Sequence, residues 1–180
     1  MKIIQVSPPH TGSTVLVNLV VEFFEKNSPV FFTEDFFIPE DRIVVKSHNV
    51  NLDLWVEKFP EESLYFIISV RDGDDYMQIE QKYQNWPNVL IFNYNEILAT
   101  NSLTTKRISE NVHKKITNFI DFPGSSSEDL QNRFDNMNEC YEKIKNKPFS
   151  YIDKYYNLHG SHKGRKPLSK KQIDHHRFKK

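Results

Sequence analysis

Short apolar runs alternate along the chain with segments in which apolar residues recur every three or four positions. Runs of this kind predict buried strands, and the longer spacing predicts amphipathic helices. The strands are predicted at Ile3–Val6, Arg42–Lys46, Leu64–Val70 and Val89–Phe92. Because strands and helices alternate, we expect an α/β fold with a parallel sheet of about four to five strands flanked by helices.

The second half of the chain is dominated by helical spacing. Helices are predicted at Ser13–Lys26, Leu52–Phe59, Asp74–Tyr83, Asn95–Leu98, Thr105–Phe122 and Ser127–Ile144, with a last short helix at Leu168–Ile173. Pro148–Leu158 is irregular or briefly helical, and Pro29–Ile38 is aromatic and ambiguous. The phenyl groups of Pro29–Ile38 could pack in the core or line an acceptor pocket, and we favour the core because buried Phe needs no functional reason.

Length and composition indicate one folded domain over residues 1–180. The chain has 14 Phe, 8 Tyr and 2 Trp, which is enough aromatic surface to exclude disorder over most of its length. Its one cysteine, Cys140, allows no internal disulfide and is interpreted as a helix-face residue in a reducing compartment. No apolar run approaches membrane-spanning length, so we expect no membrane span and a cytoplasmic location.

The net charge is zero, but the charges are unevenly distributed. Residues 159–180 carry eight Lys or Arg against one acid, so this segment has a net charge of +7 and the rest of the chain −7. A basic tail on an acidic body indicates either an anionic ligand or a soluble terminus, and charge alone favours the soluble terminus. No nucleic-acid partner is expected.

The turn after the first predicted strand has the composition of an anion-binding loop. Pro8-Pro9 ends the apolar run, and Gly12 follows among three hydroxyl-bearing residues, Thr11, Ser13 and Thr14. Such a loop directs backbone N–H groups, a helix dipole and hydroxyls at one spot, where a phosphate fits. A capped helix N-terminus after a proline turn is an equally weighted interpretation. The nucleotide-triphosphatase form of the loop is absent, because no Lys follows Gly12.

Polar residues also follow two other predicted strands. Lys46-Ser47-His48 ends the second strand, and Arg71-Asp72 follows the third. A parallel sheet would bring these strand ends and the glycine loop to one edge. His48 alone is interpreted as a solvated strand end, whereas Lys46 lies in register with buried Val44 and therefore requires an anion or a carboxylate.

Four segments, in this order, resemble motifs of the sulfotransferases that use 3′-phosphoadenosine 5′-phosphosulfate (PAPS). Pro9–Leu16 resembles their phosphosulfate loop, P-[KR]-S-G-T-T-W-L, and Val45–His48 resembles their K-T-H segment. Ile67–Asp75 resembles the V-R-D-P-R-D stretch. His162–Arg165 and the following Leu168–Ile173 look like the R-K-G loop and the segment after it, which close over the nucleotide.

The resemblance implies a P-loop NTPase-like sulfotransferase fold and metal-free transfer of a sulfuryl group from PAPS, which leaves 3′-phosphoadenosine 5′-phosphate (PAP). The implied catalytic residues are His48 as the base, with Lys46 and His10 on the sulfuryl group. The implied donor-binding residues are Pro9, His10, Thr11, Gly12, Ser13, Thr14, Arg71, Lys163, Gly164 and Arg165. Residues 159–180 would form the nucleotide-covering loop and tail. The acceptor would be a hydroxyl or amine of a small molecule or carbohydrate.

The chain departs from the family pattern at several positions. His10 stands in place of Lys or Arg, Val15 in place of Trp, Gly73-Asp74 in place of Pro-Arg, and Ile79 in place of a Ser on the 3′-phosphate. Two alternatives therefore stay open: a catalytically degenerate nucleotide-binding relative, and a P-loop nucleotide kinase. The missing Walker Lys argues against the kinase. No cluster has metal-ligand spacing, and the adjacent pair His175-His176 is interpreted as part of the tail.

Overall fold

The structure, a computed structural model, describes residues 1–8, 11–97, 105–121 and 124–144. The strands are β1 (Lys2–Val6), β2 (Phe31–Thr33), β3 (Val44–Ser47), β4 (Leu64–Val70) and β5 (Val89–Asn93). The helices are α1 (Ser13–Phe24), α2 (Leu52–Lys58), α3 (Asp74–Tyr83), α4 (Tyr94–Ile97), α5 (Thr105–Phe119) and α6 (Ser127–Ile144). The predicted segments Pro148–Leu158 and Leu168–Ile173 lie outside the described residues.

The five strands form one parallel sheet in the order β2-β3-β1-β4-β5. The predicted α/β class, with a parallel sheet of four to five strands flanked by helices, is therefore confirmed. The chain leaves β1 toward β2, at one edge of the sheet, whereas it leaves β4 toward β5, at the opposite edge. Adjacent strands whose connections diverge in this way leave a crevice beyond their carboxyl ends, the usual ligand site of open α/β sheets.

Helices cover both faces of the sheet. On one face, α1, α5 and α6 pack over alternate strand residues that include Ile3, Val44 and Ile67. On the other face, α2 and α3 pack over residues from the intervening positions, among them Ile4 and Phe66. Strand side chains alternate between faces. Two residues after Ile3, Val44 and Ile67 on the same three strands come polar residues, which therefore face α1 near the carboxyl ends of the strands. They are Gln5, Lys46 and Ser69.

Several predicted elements differ from the observed ones by one to three residues at an end. Part of the ambiguous aromatic segment, Phe31–Thr33, forms the short edge strand β2, and half-buried Phe31, Phe36 and Ile38 pack against the core, as the favoured interpretation predicted. β3 begins at Val44 instead of Arg42, because the Ile43 and Val44 N–H groups donate to the Glu25 carboxylate. α1 ends at Phe24 instead of Lys26, since the chain turns through Asn27 with a left-handed φ of 63°.

Cys140 is buried on α6, where it packs in the core on the α1 face of the sheet, as the helix-face interpretation predicted. Within the described ranges, no helix is long and apolar enough to span a bilayer.

Candidate functional site

The carboxyl ends of β3, β1 and β4 lie side by side, because these strands are neighbours in the sheet. Val6, the last residue of β1, is in register with Ser47 on one side and Ile68 on the other. The predicted meeting of these three strand ends at one edge is confirmed. Of the predicted site residues, Pro9, His10, Lys163, Gly164 and Arg165 lie outside the described part of the chain.

The loop after β1 turns into α1 through Gly12. This residue is the N-cap of the helix, with φ 78° and ψ 9°, a left-handed conformation that glycine adopts without steric cost. Its carbonyl accepts the first helical hydrogen bond, from the Leu16 N–H at 3.0 Å, and the helix has no side-chain cap. A twelve-residue helix therefore begins at the edge of the sheet with its positive dipole end beside the strand termini.

We expect Gly12→Ala to destabilise the protein by about 1–2 kcal/mol, since a Cβ disfavours the left-handed conformation. The added Cβ would lie 3.6 Å from Ile97, an ordinary contact, so the cost is conformational rather than steric. Gly124→Ala is a matched control, because Gly124 has φ +83° and open space around it. Urea unfolding should show a similar decrease in the free energy of unfolding for both variants, whereas only Gly12→Ala should weaken the binding of a phosphate. Equal anion binding by the two variants would contradict a role for this loop.

The hydroxyl of Thr11 makes hydrogen bonds inside the protein and does not point toward the predicted phosphate position. Thr11 is fully buried, and its hydroxyl donates to the Pro8 carbonyl at 2.8 Å. It also lies 2.8 Å from the hydroxyl of Ser69 on β4. Ser13 and Thr14, in the first turn of α1, are almost fully buried as well. Of the three hydroxyls, that of Thr11 therefore has a structural role: it connects the glycine loop to β4.

Lys46 is fully buried at the end of β3, beneath the first turn of α1. Its ammonium donates to the Thr14 hydroxyl at 3.3 Å. In the sheet it is in register with Gln5, another fully buried polar residue. Burying an ammonium removes it from water at a cost of several kcal/mol, so a lysine at this buried position next to the glycine loop departs from what an apolar core would select.

His48 follows β3 and is half-buried. Its Nδ1 lies 2.7 Å from the Ser7 carbonyl oxygen, and its ring meets the Phe32 ring edge-on with the centroids 5.4 Å apart. A carbonyl oxygen only accepts, so Nδ1 carries the hydrogen. In the neutral ring the lone pair is then on Nε2, the nitrogen that can take a proton from a substrate.

Arg71 is the first residue after β4 and is half-buried. Its guanidinium lies over the ring of Tyr94, 4.7 Å from the centroid, in a cation–π contact that orients the side chain. The next residue, Asp72, accepts a hydrogen bond from the Asn93 amide at 3.2 Å. The β4 and β5 ends are thus joined beside Arg71.

Sequence reasoning missed two residues that complete this edge, Ser7 and Ser69. Both are fully buried, and their hydroxyls lie 2.7 Å apart. Each is a polar residue at the end of an apolar strand, which was the only sequence signal for them. Within the described residues, no group of three or more His, Cys, Asp or Glu side chains is placed to hold a metal ion.

No protein-family model matches the chain, and no curated protein matches it.

Proposed function

We propose that the protein is a PAPS-dependent sulfotransferase, with a P-loop-type sulfotransferase fold, acting on a hydroxyl or amine of a small molecule or carbohydrate. One observation carries the proposal: buried Lys46 lies beside the first turn of α1, with His48 on the same strand end. These are the positions at which the sequence resembles the family's phosphosulfate loop and K-T-H segment.

In the proposed reaction, Nε2 of His48 takes the proton of the acceptor hydroxyl. The acceptor oxygen forms a bond to sulfur, the bond from sulfur to the bridging phosphate oxygen breaks, and PAP leaves. Lys46 and the N–H groups at the start of α1 stabilise the charge on the sulfuryl oxygens and the leaving phosphate. Arg71, held over Tyr94, binds the 3′-phosphate.

The donor site can be tested by thermal unfolding with PAP, with ADP and ATP–magnesium as controls. PAP at a hundredfold over its dissociation constant should stabilise the protein by about 2.7 kcal/mol and raise the midpoint by roughly 5–10 °C. Arg71→Ala should abolish most of the rise, because the 3′-phosphate loses its cation. Lys114→Ala, which removes an exposed cation of α5, should leave the rise unchanged.

Other outcomes discriminate between classes of protein. A rise with ATP–magnesium and none with PAP would favour a nucleotide kinase. Equal rises for PAP in the wild type and in Arg71→Ala would mean that another group binds the 3′-phosphate. Without any rise, the proposed donor site would be wrong.

Turnover should then be screened with radiolabelled PAPS against a phenol, a sugar and an amine. Transfer of label to one of them would support the enzyme and give the acceptor class. Binding of PAP without transfer to any of them would favour the catalytically degenerate relative.

A further inference from the structure

A chain of buried hydroxyl groups crosses the sheet edge below the candidate site. The Ser7 hydroxyl accepts from the Ser69 backbone N–H at 2.8 Å and lies 2.7 Å from the Ser69 hydroxyl. The Ser69 hydroxyl lies 2.8 Å from that of Thr11, which in turn donates to the Pro8 carbonyl. The side-chain amide N–H of Gln5 donates a hydrogen bond to the Ser7 hydroxyl. All four side chains are fully buried.

One of these bonds, between Thr11 and Ser69, extends beyond the backbone ladder that already pairs β1 with β4. β1 ends at Val6, and beyond it the Ser7 hydroxyl accepts a hydrogen bond from the N–H of Ser69. The Thr11–Ser69 contact then ties the glycine loop to β4, across 58 positions of sequence. Neutral buried hydroxyls bonded on several sides hold their geometry well, since breaking one bond leaves a dehydrated polar group unsatisfied.

We propose that Ser69 and Thr11 are positioning residues that fix the glycine loop relative to Arg71. Ser69 braces the loop through its side chain, and Arg71 follows two residues later on the same strand end. The network therefore sets the distance between the group that holds the 5′ end of the nucleotide and the group that holds its 3′-phosphate. This inference rests on the proposed function for the identity of the ligand.

Ser7, which belongs to this hydroxyl network, is also bonded to the proposed base, His48. The carbonyl of Ser7 accepts from His48, while its hydroxyl is bonded to Ser69. Displacement of Ser7 would thus move the loop brace and the imidazole together. Thr11 and Ser69 are better sites for substitution, because neither contacts His48 in the described hydrogen bonds.

The test compares two ligands by calorimetric titration: PAP, and adenosine 3′-phosphate, which lacks the 5′-phosphate that the loop would hold. Thr11→Val removes the hydroxyl and preserves the shape of the side chain, whereas Thr11→Ser keeps the hydroxyl. Thr11→Val should weaken PAP binding about 5–10-fold, because the contact with Ser69 that positions the loop is lost; the bond to Pro8 that is lost with it lies within the loop. Binding of adenosine 3′-phosphate should be unchanged, and Thr11→Ser should bind PAP like the wild type.

Ser69→Ala should give the same selective loss, with a further loss of stability because it also removes the hydroxyl contact with Ser7. The double variant should lose little more PAP affinity than either single variant, since both remove the Thr11–Ser69 contact. Ser109→Ala is a matched control: it removes another fully buried serine hydroxyl, one that has no hydrogen-bond partner among the described residues. It should bind both ligands normally.

Equal losses for the two ligands would overturn the inference, because they would indicate general damage to the fold. Unchanged PAP binding in Thr11→Val would overturn it too, while leaving the proposed function intact. A wild-type protein that binds neither ligand would overturn the proposed function and this inference with it.

Discussion

Replacement of His48 by Asn is expected to lower kcat by about 10²–10⁴-fold, the usual contribution of a positioned general base. The Asn side-chain amide can still donate to the Ser7 carbonyl as Nδ1 does now, at 2.7 Å. It has no nitrogen lone pair to take a proton. The variant therefore keeps the anchor and loses the base. Turnover of labelled PAPS with the acceptor found in the screen gives the rate.

His48→Ala removes both the base and the anchor. If His48 acts as a base, Ala and Asn should reduce kcat to a similar extent while PAP binding stays near that of the wild type. If its role is only to tether the strand end to Ser7, Asn should restore most of the rate that Ala loses. That rescue would contradict the assignment.

His113→Gln is the matched control for loss of an imidazole. His113 lies on α5, with Nε2 donating to the Leu130 carbonyl at 2.8 Å. Its burial lowers its pKa, so it is a neutral packing residue near neutral pH. We expect kcat to be unchanged in His113→Gln, because this side chain joins α5 to α6 on the helical layer instead of lying at the strand ends.

The fold was predictable from the sequence where the apolar pattern was unambiguous. Leu64–Val70 is a continuous apolar run bar one Ser, and its predicted limits match β4. β2 was not recognised as a strand, because Phe31–Thr33 shows neither a clear alternation nor a strand's usual length. Its strand conformation depends on pairing with β3, a tertiary contact.

The candidate site was predictable at the level of strand ends but not of side-chain contacts. Parallel topology alone brings His48 and Arg71 to one edge. The partners of these side chains are set by tertiary packing: Ser7 accepts from His48 across 41 positions, and Ser69 meets Ser7 across 62. No local period relates such residues, so the hydroxyl network could not be read from the pattern.

The position of Lys46 conflicts with what a stable core requires, and this conflict is an argument for function. The residue two positions before it on β3 is Val44, buried on the same face. An apolar residue at 46 would continue that packing, whereas an ammonium must be dehydrated. Departures from the core pattern are expected chiefly where a site needs them.

Lys46→Met is expected to lower kcat by about 10²–10³-fold, the usual effect of removing one preorganised charge-stabilising donor. Met has a similar shape and no charge, so the core stays filled. The protein loses the hydrogen bond to Thr14, and for that bond alone we expect the free energy of unfolding to change by about 1 kcal/mol. Calorimetric unfolding and turnover of labelled PAPS measure the two quantities on the same preparation.

Comparing the change in kcat with the change in the free energy of unfolding of Lys46→Met distinguishes a catalytic from a structural role of Lys46. A structural ammonium bound to a buried carboxylate would leave that carboxylate unpaired in Lys46→Met, and the protein would lose about 3–5 kcal/mol of stability. Lys82→Met is the control for loss of a lysine: Lys82 pairs with Asp53 at 2.7 Å on the exposed surface, and its removal should leave kcat unchanged. A stable Lys46→Met variant with wild-type kcat would remove Lys46 from the catalytic site, and the buried charge would then need another explanation.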